Sequence, residues 1–147
     1  MVMKSSKKLQ PIANLAKQNE RGAARDHGNV LRELQQQENQ LNELINYRNQ
    51  YINSFNAAGA SGISAIQFQD YTLFLQRLDD AIKQQQQMVA NGQVTCNQSK
   101  SKWLDKRNRS KMVNKVVEKR QKTEMKDKEK REQRELESQP GNSLRKF

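Results

Sequence analysis

The sequence predicts an all-α protein, a long antiparallel two-helix coiled coil, and three observations carry that expectation. Only 33% of the 147 residues are hydrophobic, against roughly 45–50% in a globular domain, so a thick layered core is excluded. Gly at 6 and Pro at 2 are too sparse for the turns of a sandwich or an alternating α/β fold, whereas the abundant Gln, Leu, Lys, Glu and Arg favour helix. Weakly apolar and small positions also step by four and three on either side of one glycine-bearing break, which is the pattern of a narrow seam between two helices.

Residues 1–10 are expected to be a flexible N-terminus, basic but without the apolar run of a signal peptide. Leu9, Ile12 and Ala16 carry some apolar character towards the first helix. Pro11 suits an opening helical turn, where its missing N–H costs nothing, so the first helix is expected over 11–57. Its seam runs through Ala23, His27, Val30, Leu34, Gln37, Leu41, Leu44, Arg48, Tyr51 and Phe55, with polar interruptions at His27, Gln37 and Arg48. Gly59 and Gly62 then mark a turn over 58–64, and Ser64 with Gln67 forms an S-x-x-Q capping box at the next helix start.

The second helix is expected to pair with the first over 65–117. Its seam passes through Tyr71, Leu75, Leu78, Ile82, Gln85, Val89, Gly92, Cys96, Ser99 and Trp103, and then more weakly through Lys106, Ser110, Val113 and Val117. Small Gly92, Cys96 and Ser99 allow close approach of the two backbones. Equal helix lengths set Leu9 opposite the neighbourhood of Val113. Residues 118–137 therefore read as a charged helical overhang or a disordered segment, with opposite charges four apart at Glu118 and Lys122, Glu124 and Lys128, and Asp127 and Arg131. Pro140 and Gly141 end any helix, and 138–147 is expected to be a flexible tail.

The residue types for catalysis are scarce. His27 is the sole histidine and falls on the seam, and Cys96 lacks a second thiol for a redox pair. Asp79 and Asp80, followed by Lys83, read as solvated helix surface. No phosphate-binding loop is present, and no converging set of metal ligands. The expectation is no enzyme, no cofactor and no metal. One cysteine suits a reducing cytoplasm, and no stretch approaches the roughly 18 apolar residues of a membrane span, so no transmembrane segment is expected.

The formal charge of +11 draws the chain towards an acidic protein, an anionic membrane surface or a nucleic acid. Basic residues around Trp103, from Lys102 to Lys111, could lie on phosphate, but acidic residues mix into the helix that follows. Nucleic acid is therefore not the expected partner. A second ladder offers a different surface: Gln40, Leu44, Tyr47 and Tyr51 on the first helix, with Phe74, Leu78, Ala81 and Gln85 on the second. Aromatic side chains rimmed by polar groups commonly anchor a protein partner. The pattern alone leaves three readings open, namely partner docking, a wider internal seam, or closure of a homodimer.

In QLNELINYRNQY (Gln40–Tyr51), SGIS (Ser61–Ser64) and DYTLFLQRLDDAIKQ (Asp70–Gln84), with this order and this turn between them, the chain resembles the FliJ family of flagellar type III export proteins. That resemblance implies a fold similar to the stalk of the rotary ATP synthase gamma subunit. It implies a cytoplasmic component, peripheral at the inner membrane at the flagellar base, that couples the export ATPase hexamer to the cytoplasmic domain of the large export-gate membrane protein. It further implies contact with export chaperones and a role as general export chaperone or escort. Carried over by motif, the gate-contact surface falls on Gln40, Leu44, Tyr47, Tyr51, Phe74, Leu78 and Ala81. The next ladder position, usually His, is Gln85 here. Lys106, Arg107 and Arg109 are the candidates for contact with the ATPase. The alternatives are a self-associating coiled-coil structural protein and a basic nucleic-acid-binding helix protein.

Overall fold

The computed structural model describes residues 4–139. Two helices account for nearly all of them: α1, Ser5–Gly59, and α2, Ala65–Ser138. Of the expected flexible N-terminus over 1–10 and tail over 138–147, residues 1–3 and 140–147, with Pro140 and Gly141, lie outside the described residues, and Ser138 still belongs to α2. The chain divides into two compact units, one comprising Ala24–Lys102 and the other Met1–Ala23 with Trp103–Phe147.

The unit Ala24–Lys102 contains the turn. α1 ends in a tightened turn, with Ser61 N donating to the Ala58 carbonyl at 3.1 Å and Gly62 N to that of Gly59 at 3.2 Å. Gly62 has φ of 88°, a left-handed conformation that a side chain would strain. The capping box closes in both directions: Gln67 N donates to Ser64 Oγ at 3.1 Å and Ser64 N donates to Gln67 Oε1 at 3.0 Å. Two amides that a helix start leaves orphaned are thereby satisfied, which fixes where α2 begins.

Beyond the turn the helices of this unit run antiparallel, and the stepping pattern gives their contact line. Leu78, Ile82, Gln85 and Val89 are buried, and Val30, Leu34, Leu41 and Leu44 are half-buried opposite them. The polar interruptions find partners across the pair. Arg48 Nε donates to Asp79 Oδ1 at 2.5 Å, so Asp79, expected as solvated helix surface, keeps a side chain 43% exposed and is also an interhelical partner. His27 Nδ1 lies 2.7 Å from Ser99 Oγ. The Ser99 hydroxyl also lies 2.9 Å from the Cys96 carbonyl, so it ties the His27 ring to the backbone of α2. The expected close approach at Gly92 is also present. A Cβ built there would stand 2.5 Å from Gln37 Oε1 and 3.1 Å from Leu34 Cδ1.

In the unit Met1–Ala23 with Trp103–Phe147 the seam is made of small residues. Ala13, Ala16 and Ala23 are buried on α1, and Ser110 and Val117 on α2. Ile12, expected near this line, is 47% exposed; stepping back from Ala23 by three and four passes through Ala13, and side-chain size misdirects the choice. Glu20 lies beside this seam. Burial would raise its pKa, but hydrogen bonds from Lys17 and Ser110 and the fields of Lys17 and Arg107 outweigh that and lower it. The buried Ser110 hydroxyl thus has a carboxylate to bond.

Both ends of the expected pairing shift outward. α1 begins at Ser5, not at Pro11, because Glu124 of α2 caps it from across the pair. Ser6 N donates to Glu124 Oε1 at 3.0 Å and Ser6 Oγ to Oε2 at 2.6 Å, so a carboxylate meets an orphan amide at the positive end of the helix dipole. Arg120 also donates to Ser5 Oγ. Residues 5–10 are therefore helical, and pairing continues beyond Val117 to Glu124. Of the expected pairs at Glu118 and Lys122, Glu124 and Lys128, and Asp127 and Arg131, none is an ion pair among the described residues.

The Ser6 bonds lower the Glu124 pKa, helped by the Lys4 and Arg120 fields and opposed by burial. A carboxylate whose folded pKa lies below its unfolded value contributes fully above the unfolded value and loses that contribution as pH falls through the folded one. Acidification below the ordinary glutamate range is therefore expected to fray the first turns of α1 before the unit Ala24–Lys102 loosens. Amide exchange at Ser6 followed from neutral to acid pH tests this, and Glu124→Gln should produce the same fraying at neutral pH.

Candidate functional site

Six of the eight aromatic residues in the sequence assemble into one ladder beside the turn. Tyr47, Tyr51 and Phe55 follow each other at four-residue steps on α1, and Phe74, Tyr71 and Phe68 at three-residue steps on α2, so both rows lie along facing stripes. Phe55 stacks on Tyr71 with centroids 3.4 Å apart, and Tyr51 stacks on Tyr71 at 5.2 Å. Tyr51 tilts against Phe74 at 4.6 Å, and Tyr47 meets the Phe74 ring edge-on at 6.2 Å. Phe55 and Phe68 close the other end at 6.1 Å.

The expected patch residues divide by depth. Leu78, at 7% exposed, and Gln85, at 8%, are buried in the seam. Leu44, Tyr51, Phe74 and Ala81 are half-buried, while Gln40 is exposed and Tyr47 is 50% exposed. Gln40, Glu43, Leu44, Tyr47 and Gln85 together line a shallow groove of about 370 Å³. Its floor is fixed by the Gln85 amide, which donates from Nε2 to the Gln37 carbonyl at 2.9 Å and to Gln40 Oε1 at 3.4 Å. Both N–H groups of one amide are spent bridging α1 and α2. The arrangement places an aromatic edge beside a polar-rimmed groove.

Sequence patterning singled out Tyr47 and Tyr51 but left Phe55, Phe68 and Tyr71 out of the patch, although they continue the same ladder. The change from four-residue steps on α1 to three-residue steps on α2 is the signal that joins them. Ile66 and Leu73 add further exposed apolar surface on α2.

Lys106, Arg107 and Arg109 do not share one face. Lys106 and Arg107 are half-buried, and the Arg107 guanidinium stands over the Trp103 ring at 5.9 Å. Arg109 is exposed. Among the described residues no group of three or more His, Cys, Asp or Glu side chains could hold a metal, and no helix is long and apolar enough to cross a membrane.

A profile of the flagellar FliJ protein matches residues 5–137, which spans both helices. The chain is 33% identical over 101 residues to the flagellar FliJ protein of Escherichia coli strain K12, covering 69% of each chain. It is 31% identical over 101 residues to that of Salmonella typhi, again covering 69% of each. No solved structure matches significantly. With a family profile spanning both helices and two relatives aligned over most of their length, the chain belongs to the flagellar FliJ family and takes its general role in flagellar protein export.

Proposed function

We propose that the chain is a cytoplasmic coupling protein of the export apparatus, peripheral at the inner membrane, that links the export ATPase ring to the export gate. In this reading it performs no chemistry of its own and also serves as a general export chaperone or chaperone escort. The gate contact is made by the outer edge of the aromatic ladder. The observation that carries this is Tyr47, half-exposed at the end of a stacked row and beside a polar-rimmed groove, where a partner would cover an already ordered ring. Rigid aromatic anchors lose little side-chain entropy on binding, which is why they dominate interface energetics. Leu78 and Gln85 act behind this surface, the first as packing and the second by holding Gln40 at the rim. Gln85, where the family usually has His, gives the contact no titratable group. Arg109 is the most accessible of the three basic candidates for the ATPase ring.

Tyr47→Ala is expected to weaken capture by the purified gate domain by about tenfold or more, the loss typical of an interface anchor. ATPase capture and helicity should be unchanged. Pull-down with each partner, beside circular dichroism and a mass measurement of the free chain, tests this. Loss of cooperative folding would make Tyr47 core. A stable dimer covering the ladder would favour the self-associating reading instead.

A further inference from the structure

The seam of the unit Ala24–Lys102 has two sides, and one of them is an open groove. Glu33, Gln40 and Tyr47 follow at steps of seven along α1, and Phe74, Ala81, Met88 and Thr95 at steps of seven along α2. Rows of that spacing hold one edge of a helix seam, and in an antiparallel pair these two border the same side. Tyr47 meets Phe74 at one end. Next comes the concavity at Gln40 and Gln85, and beyond it a second of about 230 Å³, where Val30, Leu34, Gln37, Met88, Gly92 and Thr95 converge. Gly92 brings no side chain to this notch, and Met88 lines it at 47% exposed. The Gln37 carboxamide oxygen lies against Gly92, buried without a hydrogen-bond partner among the described residues. Glu33 and Glu43 are exposed on the α1 rim and join no ion pair among the described residues, while Ala81, Gln84, Met88, Asn91 and Thr95 leave the α2 rim without charge.

We propose that this groove seats a basic amphipathic α-helix of the partner that covers Tyr47. The inference rests on the reading that Tyr47 anchors a partner, and it names the element which that partner presents. Continuity of the groove sets the length: from Tyr47 back to Val30, α1 rises about 26 Å, the reach of roughly 17 helical residues. A third helix laid along a two-helix groove directs side chains into it at steps of three and four. One of these packs on Tyr47 and another enters the Gly92 notch, where the flexible thioether of Met88 adapts to its shape. Charge sets the chemistry. Glu33 and Glu43 make the groove locally acidic in a chain whose net charge is +11, so lysine or arginine on the incoming helix is the complement, and an acidic segment or a nucleic acid is repelled there. A donor on the same helix meets Gln37 Oε1 once the carboxamide turns outward, and removes the penalty of an unbonded buried acceptor.

The test uses the full chain and the purified gate domain. Met88→Glu is expected to weaken capture by about tenfold or more, the loss of an interface anchor. Val94→Glu adds the same charge at another exposed apolar position of α2, about 120° round the helix from Met88, and should bind as wild type. Glu33→Gln should weaken capture about two- to fivefold, as loss of an exposed ion pair does, and flatten its dependence on salt. Benzoylphenylalanine in place of Met88 should cross-link to a helical segment of the gate domain that carries lysine or arginine beside its apolar row. Circular dichroism and urea midpoints check that the variants stay folded. Wild-type capture by both Met88→Glu and Glu33→Gln, beside a loss in Tyr47→Ala, would overturn the groove and leave the aromatic reading standing. Unchanged capture by Tyr47→Ala would fail that reading whatever the groove variants do. Equal loss in Met88→Glu and Val94→Glu, or a cross-link to an acidic segment, would also overturn the proposal.

Discussion

Leu78→Ala is expected to destabilise the helix pair by about 2–3 kcal/mol, the lower part of the range for deleting a buried leucine. The pair has few large apolar groups out of water: Leu78, Ile82 and Val89 are its main buried ones, and Leu78 is 7% exposed. A two-helix seam has no second layer to collapse into the space left behind, although solvent can enter from its sides and limit the loss. Urea unfolding followed by circular dichroism should show a much lower midpoint for Leu78→Ala than for Tyr47→Ala. Equal shifts would mean that the aromatic ladder and the seam are one packing unit, and would remove the distinction between a buried Leu78 and an accessible Tyr47.

Gly92→Leu is expected to cost about 1–3 kcal/mol, as overpacking does, even though leucine is the better helix former by up to about 1 kcal/mol. The first added carbon alone would stand 2.5 Å from Gln37 Oε1 and 3.1 Å from Leu34 Cδ1. Gln37 Oε1 ends a flexible side chain and is buried with no hydrogen-bond partner among the described residues, so it can swing aside, and the cost falls on Leu34 and on the space that the rest of the leucine must find in the seam. Gly28→Ala provides the internal contrast. There the nearest atom to an added Cβ is Arg32 Nη1 at 3.9 Å, and the substitution should raise stability through helix propensity alone. Opposite signs in the two unfolding midpoints separate close backbone approach from mere glycine tolerance.

Much of the fold was legible because one physical requirement dominates it. A narrow seam must recur every three or four residues, and Ala23, Leu34, Leu78, Ile82 and Val117 are found on it where stepping places them. The capping box was legible because both of its partners lie within four residues. The helix start at Ser5 was not, since the group that stabilises it, Glu124, is remote in sequence and reaches Ser6 only once the register is set. The same dependence on register hid the Arg48 and Asp79 pair. In the candidate site, Tyr47 and Gln40 could be read as outward-facing from periodicity. The depth of Leu78 and Gln85 could not, because each position belongs to both stripes and only packing decides which one claims it.

The polar contacts across the seam of residues 24–102 bear on mechanics as well as stability. Gln85 to the Gln37 carbonyl, Arg48 to Asp79 and His27 to Ser99 are spaced along the pair. A smooth leucine seam tolerates axial sliding, because each side chain finds an equivalent hollow one turn, about 5.4 Å, further on. Here a one-turn slip would break all three contacts together and move Gly92 away from Leu34 and Gln37. They act as detents against shear, so a push applied along one helix is carried into the other and not lost as slippage between them.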